Sequence, residues 1–308
     1  MENMEFIDNG LARIRGDREK GAAQLALTGV EFLRDAFEYF IRRDIGTALA
    51  NTRETALALS GVRPAMAPIA NLAAEYYRII RELVVGHGER PGVTMAQWAA
   101  ARVAEDAAER MAKIATLGGS LVSSSAPVMT ISYSSTVENI LLESGGGAPV
   151  IIAEGRPLFE GRKLALSARS AGAEVTLITD AQMGVFIEKA GMALIGADTL
   201  LPDMGAVNKV GSYQLALLAR ERGVKFMVAA DTYKINATDD GLGLDMESNQ
   251  PEEVWELHPE ICANVYFESV PPELITGYIT EEGVLGALEM KKRAGALKKN
   301  IESLKAEG

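Results

Sequence analysis

The sequence is poor in the residues from which most redox and metal chemistry is built. Among its 308 residues it has one cysteine, Cys262, and two histidines, His87 and His258. A single thiol cannot form an intrachain disulfide or a cysteine metal cluster, and a reducing cytoplasm is the expected compartment. Two histidines leave no material for a multi-histidine zinc site and little for a Ser–His–Asp triad. Both are flanked by turn formers or helix-boundary residues, and a surface role is expected for each. Neither a metal nor a cofactor is expected. No apolar run approaches the roughly 20 residues that a membrane-spanning helix requires, so no membrane partner is expected. The opening residues, MENMEFIDNG, are acidic and lack the basic-then-apolar layout of a secretion signal. Basic charge is also scarce: 31 Lys and Arg against 42 Asp and Glu give a net charge of −11. Direct nucleic-acid binding is therefore not expected, because phosphate contacts need clustered cations. The runs Arg42-Arg43, Lys291-Lys292-Arg293 and Lys298-Lys299 are short and read as solvated helix ends. An anionic small ligand stays open, since a few placed cations outweigh a net field locally.

Two nucleotide-binding signatures are missing as well. There is no G-x-G-x-x-G after a strand and no G-x-x-x-x-G-K-[ST]. The segment GLGLD at 241–245 lacks a strand–turn–helix context and reads as a loop.

What is present is a hydrophobic content of 48% arranged with two different periods. Up to about residue 120 the apolar residues recur at helical spacing. Phe32, Leu33, Ala36, Phe37, Phe40 and Ile41 form one stripe. Ile69, Leu72, Tyr76, Ile80 and Leu83 form a second, and Ala96, Ala99, Val103, Ala107 and Met111 a third. Thr94 and Gln97 suggest a capping box for the third helix, and a further Ala-rich helix is expected near 44–59. From about 125, short apolar runs alternate with helical stretches: APVMTIS, APVIIAE, AEVTLIT, MALIGAD, VKFMVAA and NVYFESV. Helices are expected at 135–144, 160–171, 181–190, 206–222 and 282–303, and Gly145-Gly146-Gly147 reads as a turn. Strands that are apolar on nearly every side chain belong to a parallel sheet covered on both faces. The pattern predicts an α/β chain: a helical bundle over 1–122 and a Rossmann-like, doubly wound parallel sheet over 123–308. In such a sheet ligands sit at the carboxyl ends of the strands.

Four segments fall at those ends. In TISYSSTVE, 130–138, Ser135 and Glu138 read as a capping box. The free amides of that helix start, with Ser132, Ser134 and Ser135 beside them, form either an anion site or a plain capped helix. In AEGRPLFEG, 153–161, Glu154 and Arg156 follow a strand, as surface loop residues also would. In GADTLLPDMGAVNKVGS, 196–212, Asp198 closes a strand and Asn208-Lys209 lie near the start of the next helix. An acid facing an amide and an ammonium suits acid–base work and phosphate binding; a capping role for Asp198 is the alternative. In AADTYKIN, 229–236, Lys234 follows a strand end and would add a phosphate cation. Lys20-Gly21-Ala22, at a helix start, and Arg63-Pro64, opening another helix, are further candidates from the helical half.

GADTLLPDMGAVNKVGSYQLALLA, AADTYKIN and NVYFESVPPELITGYITEEGVL together resemble the proteins related to the α subunit of translation initiation factor 2B. That family also includes ribose-1,5-bisphosphate isomerase and methylthioribose-1-phosphate isomerase. The resemblance runs from about residue 17 to the end. It implies a helical domain on a Rossmann-like domain, a phosphorylated ligand between them, and a homodimer or higher homo-oligomer. It places Asp198 at the isomerases' catalytic acid position and Asn208 and Lys209 at ligand-contacting positions. Gly21, Ala22 and Arg63 match places where the helical domain touches a phosphate, and Lys20 stands where isomerases usually have Arg. Two departures stand out. Thr130-Ile131-Ser132 occupies the isomerases' Thr-His-Cys-like motif, and Glu160 replaces a glutamine. A serine hydroxyl needs an adjacent base to act where a thiol would, and none is visible beside Ser132 in the sequence. The expectation is a protein that binds a phosphorylated sugar or nucleotide without standard isomerase turnover. The alternative is an aldose–ketose isomerase acting on a sugar 1-phosphate, with Asp198 and Ser132 as its catalytic groups.

Overall fold

A computed structural model describes residues 2–17, 20–86, 88, 90–122, 126–145, 147–237 and 249–306. His87, Gly146 and the GLGLD segment lie outside the described residues. The chain divides into two compact units: Met1–Glu109 with Tyr233–Gly241 and Arg293–Gly308, and Arg110–Thr232 with Leu242–Lys292.

The first unit is helical. It contains α1 (Glu2–Gly16), α2 (Ala22–Arg43), α3 (Ala48–Ser60), α4 (Ala67–Arg81), a π-helical turn at Glu82–Gly86, and the start of α5 (Val93–Leu121). Helical spacing places Leu33, Ala36, Phe37 and Phe40 of α2 and Ile69, Leu72, Tyr76 and Ile80 of α4 in the core, each essentially buried. Burial of such a side chain contributes about 1.5–3 kcal/mol. No stripe announces α1, whose Phe6 stacks on Tyr39 with centroids 4.7 Å apart. Thr94 lies inside the first turn of α5, because Met95 and Ala96 already bond to the Gly92 carbonyl. Arg63 and Pro64 precede α4 in a turn closed by Met66 N–H on Arg63 O, and do not open the helix themselves. Arg53 of α3 donates to the carbonyls of Leu304 (2.8 Å) and Lys305 (2.9 Å), C-terminal acceptors of the last helix that have no partner within the helix.

The second unit is built on a seven-stranded sheet. Its elements begin with β1 (Val128–Ile131), α6 (Ser135–Glu143), β2 (Val150–Ala153), α7 (Gly161–Ser170), β3 (Val175–Ile178), α8 (Met183–Phe186) and β4 (Met192–Gly196). There follow β5 (Thr199–Leu200), β6 (Ala206–Lys209), α9 (Ser212–Glu221), β7 (Lys225–Ala229), β8 (Phe267–Val270), β9 (Gly277–Thr280) and β10 (Gly283–Leu285), and then α10 (Ala287–Ala306), which starts in this unit and belongs to the first from Arg293 on. The sheet order is β10-β9-β7-β4-β1-β2-β3, parallel throughout except for β10. VMTI and VIIA are buried at every position, as strands covered on both faces must be. From β1 the chain winds outward to β3 and then returns to β4 on the other side of β1. That reversal is the topological switch point, with Ser132 following β1 and Asp198 following β4.

Four expected elements take a different form. The 206–222 helix is β6 followed by α9. Ala206–Lys209 pair antiparallel with β5 and β8, and Gly211 at φ 104° breaks the chain before Ser212. Asn208 and Lys209 are therefore strand residues. NVYFESV supplies β8 to this separate β5-β6-β8 sheet and not to the parallel one. The 282–303 helix starts at Ala287, because Gly283 at φ 132° turns β9 into β10. The 181–190 helix is one α-turn, α8, between two 3-10 turns. Among the described residues no helix is long and apolar enough to cross a membrane.

Candidate functional site

The carboxyl end of β1 is shaped by one unusual backbone. Ser132 has φ 63°, a left-handed conformation that a non-glycine residue adopts at a cost, and it is buried. Its N–H donates to Ala153 O at the end of β2, 3.0 Å away. Gly155 at φ 73° makes this approach possible: a Cβ there would sit 2.8 Å from Ser132 Cβ. Two residues on, the Ser134 hydroxyl accepts the Val137 N–H at 3.4 Å and caps α6. The cap is thus Ser134, and Ser135 is the first helical residue. Tyr133 Oη donates to Glu138 at 2.8 Å, and burial, with that bond second, pushes its hydroxyl up to about 12.

The base that the sequence does not put beside Ser132 arrives from the residue before α7. Ser132 Oγ donates to Glu160 Oε2 at 3.3 Å, and Lys209 Nζ lies 2.6 Å from Glu160 Oε1. The Lys209 side chain is 9% exposed and that of Glu160 28%. The ammonium also lies 4.4 Å from the ring centre of Tyr266 and 6.0 Å from that of Phe267. A buried ammonium needs such compensation. Beside it, the Asn208 amide donates to Ser212 Oγ at 2.9 Å, and that hydroxyl donates to Lys209 O at 2.7 Å. At the start of α9, the N–H groups of Gly211, the residue before the helix, and of Tyr213 donate to Glu268 Oε1 at 2.6 and 2.8 Å. Glu268 is opposite Asn208 in the β6–β8 register.

The other candidates of this unit have contacts of their own. Glu154 pairs with Arg162 at 2.9 Å. Asp180 accepts the Gly155 and Arg156 N–H groups, both at 2.8 Å, and the exposed Arg156 guanidinium reaches Val254 O at 3.2 Å. Asp198 is half-buried between β4 and β5 and donates its N–H to Val207 O at 2.8 Å, which ties it to the strand carrying Asn208 and Lys209. His258 is exposed, 3.3 Å from Glu260. Among the described residues no group of His, Cys, Asp and Glu is placed to hold a metal ion.

In the helical unit Asp17 gathers two candidates, Lys20 and Arg63. Lys20 donates its N–H to Asp17 Oδ1 at 3.0 Å, with its ammonium 3.6 Å from Oδ2 and 3.1 Å from Thr28 Oγ1. The buried Arg63 donates to Asp17 O at 2.9 Å. Gly21 precedes α2 without a side-chain cap, and Ala22 begins it. Lys234, buried in a 3-10 turn, is flanked by the carbonyls of Tyr233 and Ile235, which Asn71 Nδ2 holds at 2.5 and 2.9 Å. Asp17, Asn71, Tyr266 and Glu268 were not singled out in the sequence. Asp17 meets Lys20 locally but Arg63 only through tertiary structure, as the other three meet their partners, and only Glu268 would follow from a known β6–β8 register.

The initiation factor 2 subunit family model matches residues 18–287. The chain belongs to this family. A translation initiation factor eIF-2B subunit 2-like protein of Pyrococcus horikoshii is 32% identical over 279 residues, covering 89% of this chain and 94% of the relative. The ribose 1,5-bisphosphate isomerase of Archaeoglobus fulgidus is 30% identical over 299 residues, with coverages of 92% and 90%. The crystal structure of the Pyrococcus horikoshii translation initiation factor eIF-2B superposes with a TM-score of 0.73 at 28% identity, over 91% of this chain and 96% of that one. Membership of the initiation factor 2 subunit family, the α/β class, and the pairing of a helical unit with a Rossmann-like sheet thus agree with what the sequence resemblance implied.

Proposed function

We propose that this member of the initiation factor 2 subunit family binds a phosphorylated sugar or nucleotide and does not carry out the standard aldose–ketose isomerisation. The observation that carries the reading is the chain of contacts from Ser132 to Glu160 to Lys209 at the end of β1. Isomerising a sugar 1-phosphate requires ring opening and a hydrogen moved between C1 and C2, hence two groups that exchange protons near neutrality. A thiol titrates in that range and a serine hydroxyl does not. Here the hydroxyl donates to a carboxylate that is itself committed to a buried ammonium. In this reading Asp198 accepts from ligand hydroxyls and transfers no proton. Lys20, Gly21, Ala22, Arg63 and Lys234, with the α6 start at Ser134 and Ser135, supply the potential that favours an anion. Glu154, Arg156, Asn208 and Lys209 complete the ligand's surroundings. The protein acts as a cytoplasmic homodimer or higher homo-oligomer. Mass spectrometry of a ligand carried through purification tests the binding role: a phosphorylated sugar or nucleotide is expected, and a chain that neither carries nor takes up any such compound contradicts it.

A second reading, an isomerase, has one observation in its favour. Glu160 Oε2 lies 3.3 Å from Ser132 Oγ, so the hydroxyl does have a carboxylate neighbour. The similarity to the ribose 1,5-bisphosphate isomerase is consistent with it. Turnover by the unmodified chain separates the two.

A further inference from the structure

Four donors of the β6–α9 corner that would suit a phosphate already face acceptors of the protein's own. Lys209 is paired with Glu160, the Asn208 amide with Ser212, and the backbone amides of Gly211 and Tyr213 at the start of α9 with Glu268. Two of those three acceptors are carboxylates. Of the ion pair, the carboxylate is the more exposed partner, 28% against 9% for the lysine, so an incoming ligand meets the acid before the ammonium. Resting on the ligand-binding reading above, we infer that Glu160 determines specificity by neutralising Lys209. This end of the site takes the hydroxyl groups of a singly phosphorylated polyol or nucleoside and rejects a second phosphate.

The chemistry is direct. A phosphate brought to Lys209 would stand against a carboxylate oxygen already 2.6 Å from the ammonium and would have to displace it. Like charges sharing one cation repel, and the low-dielectric surroundings supplied by Tyr266 and Phe267 do little to screen them. A hydroxyl group has no such conflict. It donates to Glu160 and accepts from Lys209 without adding charge, and a pair of neighbouring hydroxyls does both at once. Ser132 adds shape: its hydroxyl holds the second carboxylate oxygen, so Glu160 presents a fixed edge and not a swinging one. Glutamine at this position would keep that bond and release the ammonium for an anion.

Calorimetry with ribose 5-phosphate and ribose 1,5-bisphosphate, on the parent chain and on Glu160→Gln, tests the inference. The parent is expected to bind the monophosphate at least tenfold more tightly. The substitution is expected to shift the ratio of the two affinities toward the bisphosphate by tenfold or more. A parent that prefers the bisphosphate, or a ratio that does not move in a variant whose melting temperature matches the parent's, overturns the role of Glu160 and leaves the binding reading standing. If the variant does not fold, the parent's own preference decides the matter. A parent that binds neither compound, nor any other sugar or nucleoside phosphate, contradicts the binding reading itself and the inference with it.

Discussion

Gly155 is where a single atom would be felt. With φ at 73°, and Ser132 Cβ and Cα 2.8 and 2.9 Å from where its Cβ would stand, it lets the turn after β2 lie against the left-handed serine. The nearer obstacle is partly backbone, so the neighbourhood cannot yield by a rotamer change. Gly155→Ala is expected to destabilise the fold by about 1–3 kcal/mol, the range for a strained backbone position. It should also loosen the Ser132–Glu160 bond. Urea unfolding checks the first, and an unchanged midpoint would contradict it. At this scale the sequence is informative about the polar residues that end apolar runs: Ser132, Glu154 and Asp198 each follow a strand as their position implies. Lys209 is legible as a ligand-type residue, but its partner is not. Glu160 belongs to another loop, and only the parallel pairing of β1 with β2 brings the two strand ends together. Glu268 is remote in sequence from the amides it accepts at the start of α9, and nothing in its flanking residues signals that role.

At the scale of elements, the segment from β1 through α6 is the best test. Tyr133 sits between Ser132 and the cap, donates to Glu138 and lies under the Lys163 ammonium, 3.9 Å from its ring centre. Burial first, and the bond to Glu138 second, raise its hydroxyl to about 12. The folded value thus lies above the unfolded one of about 10. The stability that Tyr133 adds is therefore complete below about pH 10 and is lost as the pH rises through 12. The difference in unfolding free energy between the parent and Tyr133→Phe should be constant from pH 8 to 10 and shrink above it. A difference independent of pH up to 12 would contradict the assignment. Elements with long apolar periods, α2, α4, α5 and the parallel strands, are readable because burial on one stripe or on both faces dictates composition. The short ones are not. β5 and β6 carry too few residues for a period of two to declare itself, and AVNK reads equally well as the start of a helix. Only the pairing with β8 and the left-handed Gly211 decide for a strand.

For the whole molecule, composition and family pull in opposite directions. A net charge of −11 opposes self-association, whereas the family resemblance implies a homodimer or higher assembly. Light scattering at micromolar concentration is expected to give the mass of at least two chains. Association should tighten as salt screens the like charges, over a Debye length that falls from about 10 Å at 0.1 M to about 3 Å at 1 M. The mass of one chain at every salt concentration would contradict the assembly. The proposed function turns on a narrower point: a serine held by an ion-paired carboxylate, where the resemblance places the isomerases' cysteine, leaves binding without turnover. The most direct test is product formation by the unmodified chain across a panel of sugar 1-phosphates that includes ribose 1,5-bisphosphate and methylthioribose 1-phosphate. The account predicts no conversion above background. Turnover on the order of 1 s⁻¹ or faster, typical of working enzymes, that disappears in Asp198→Asn would contradict it and establish the isomerase.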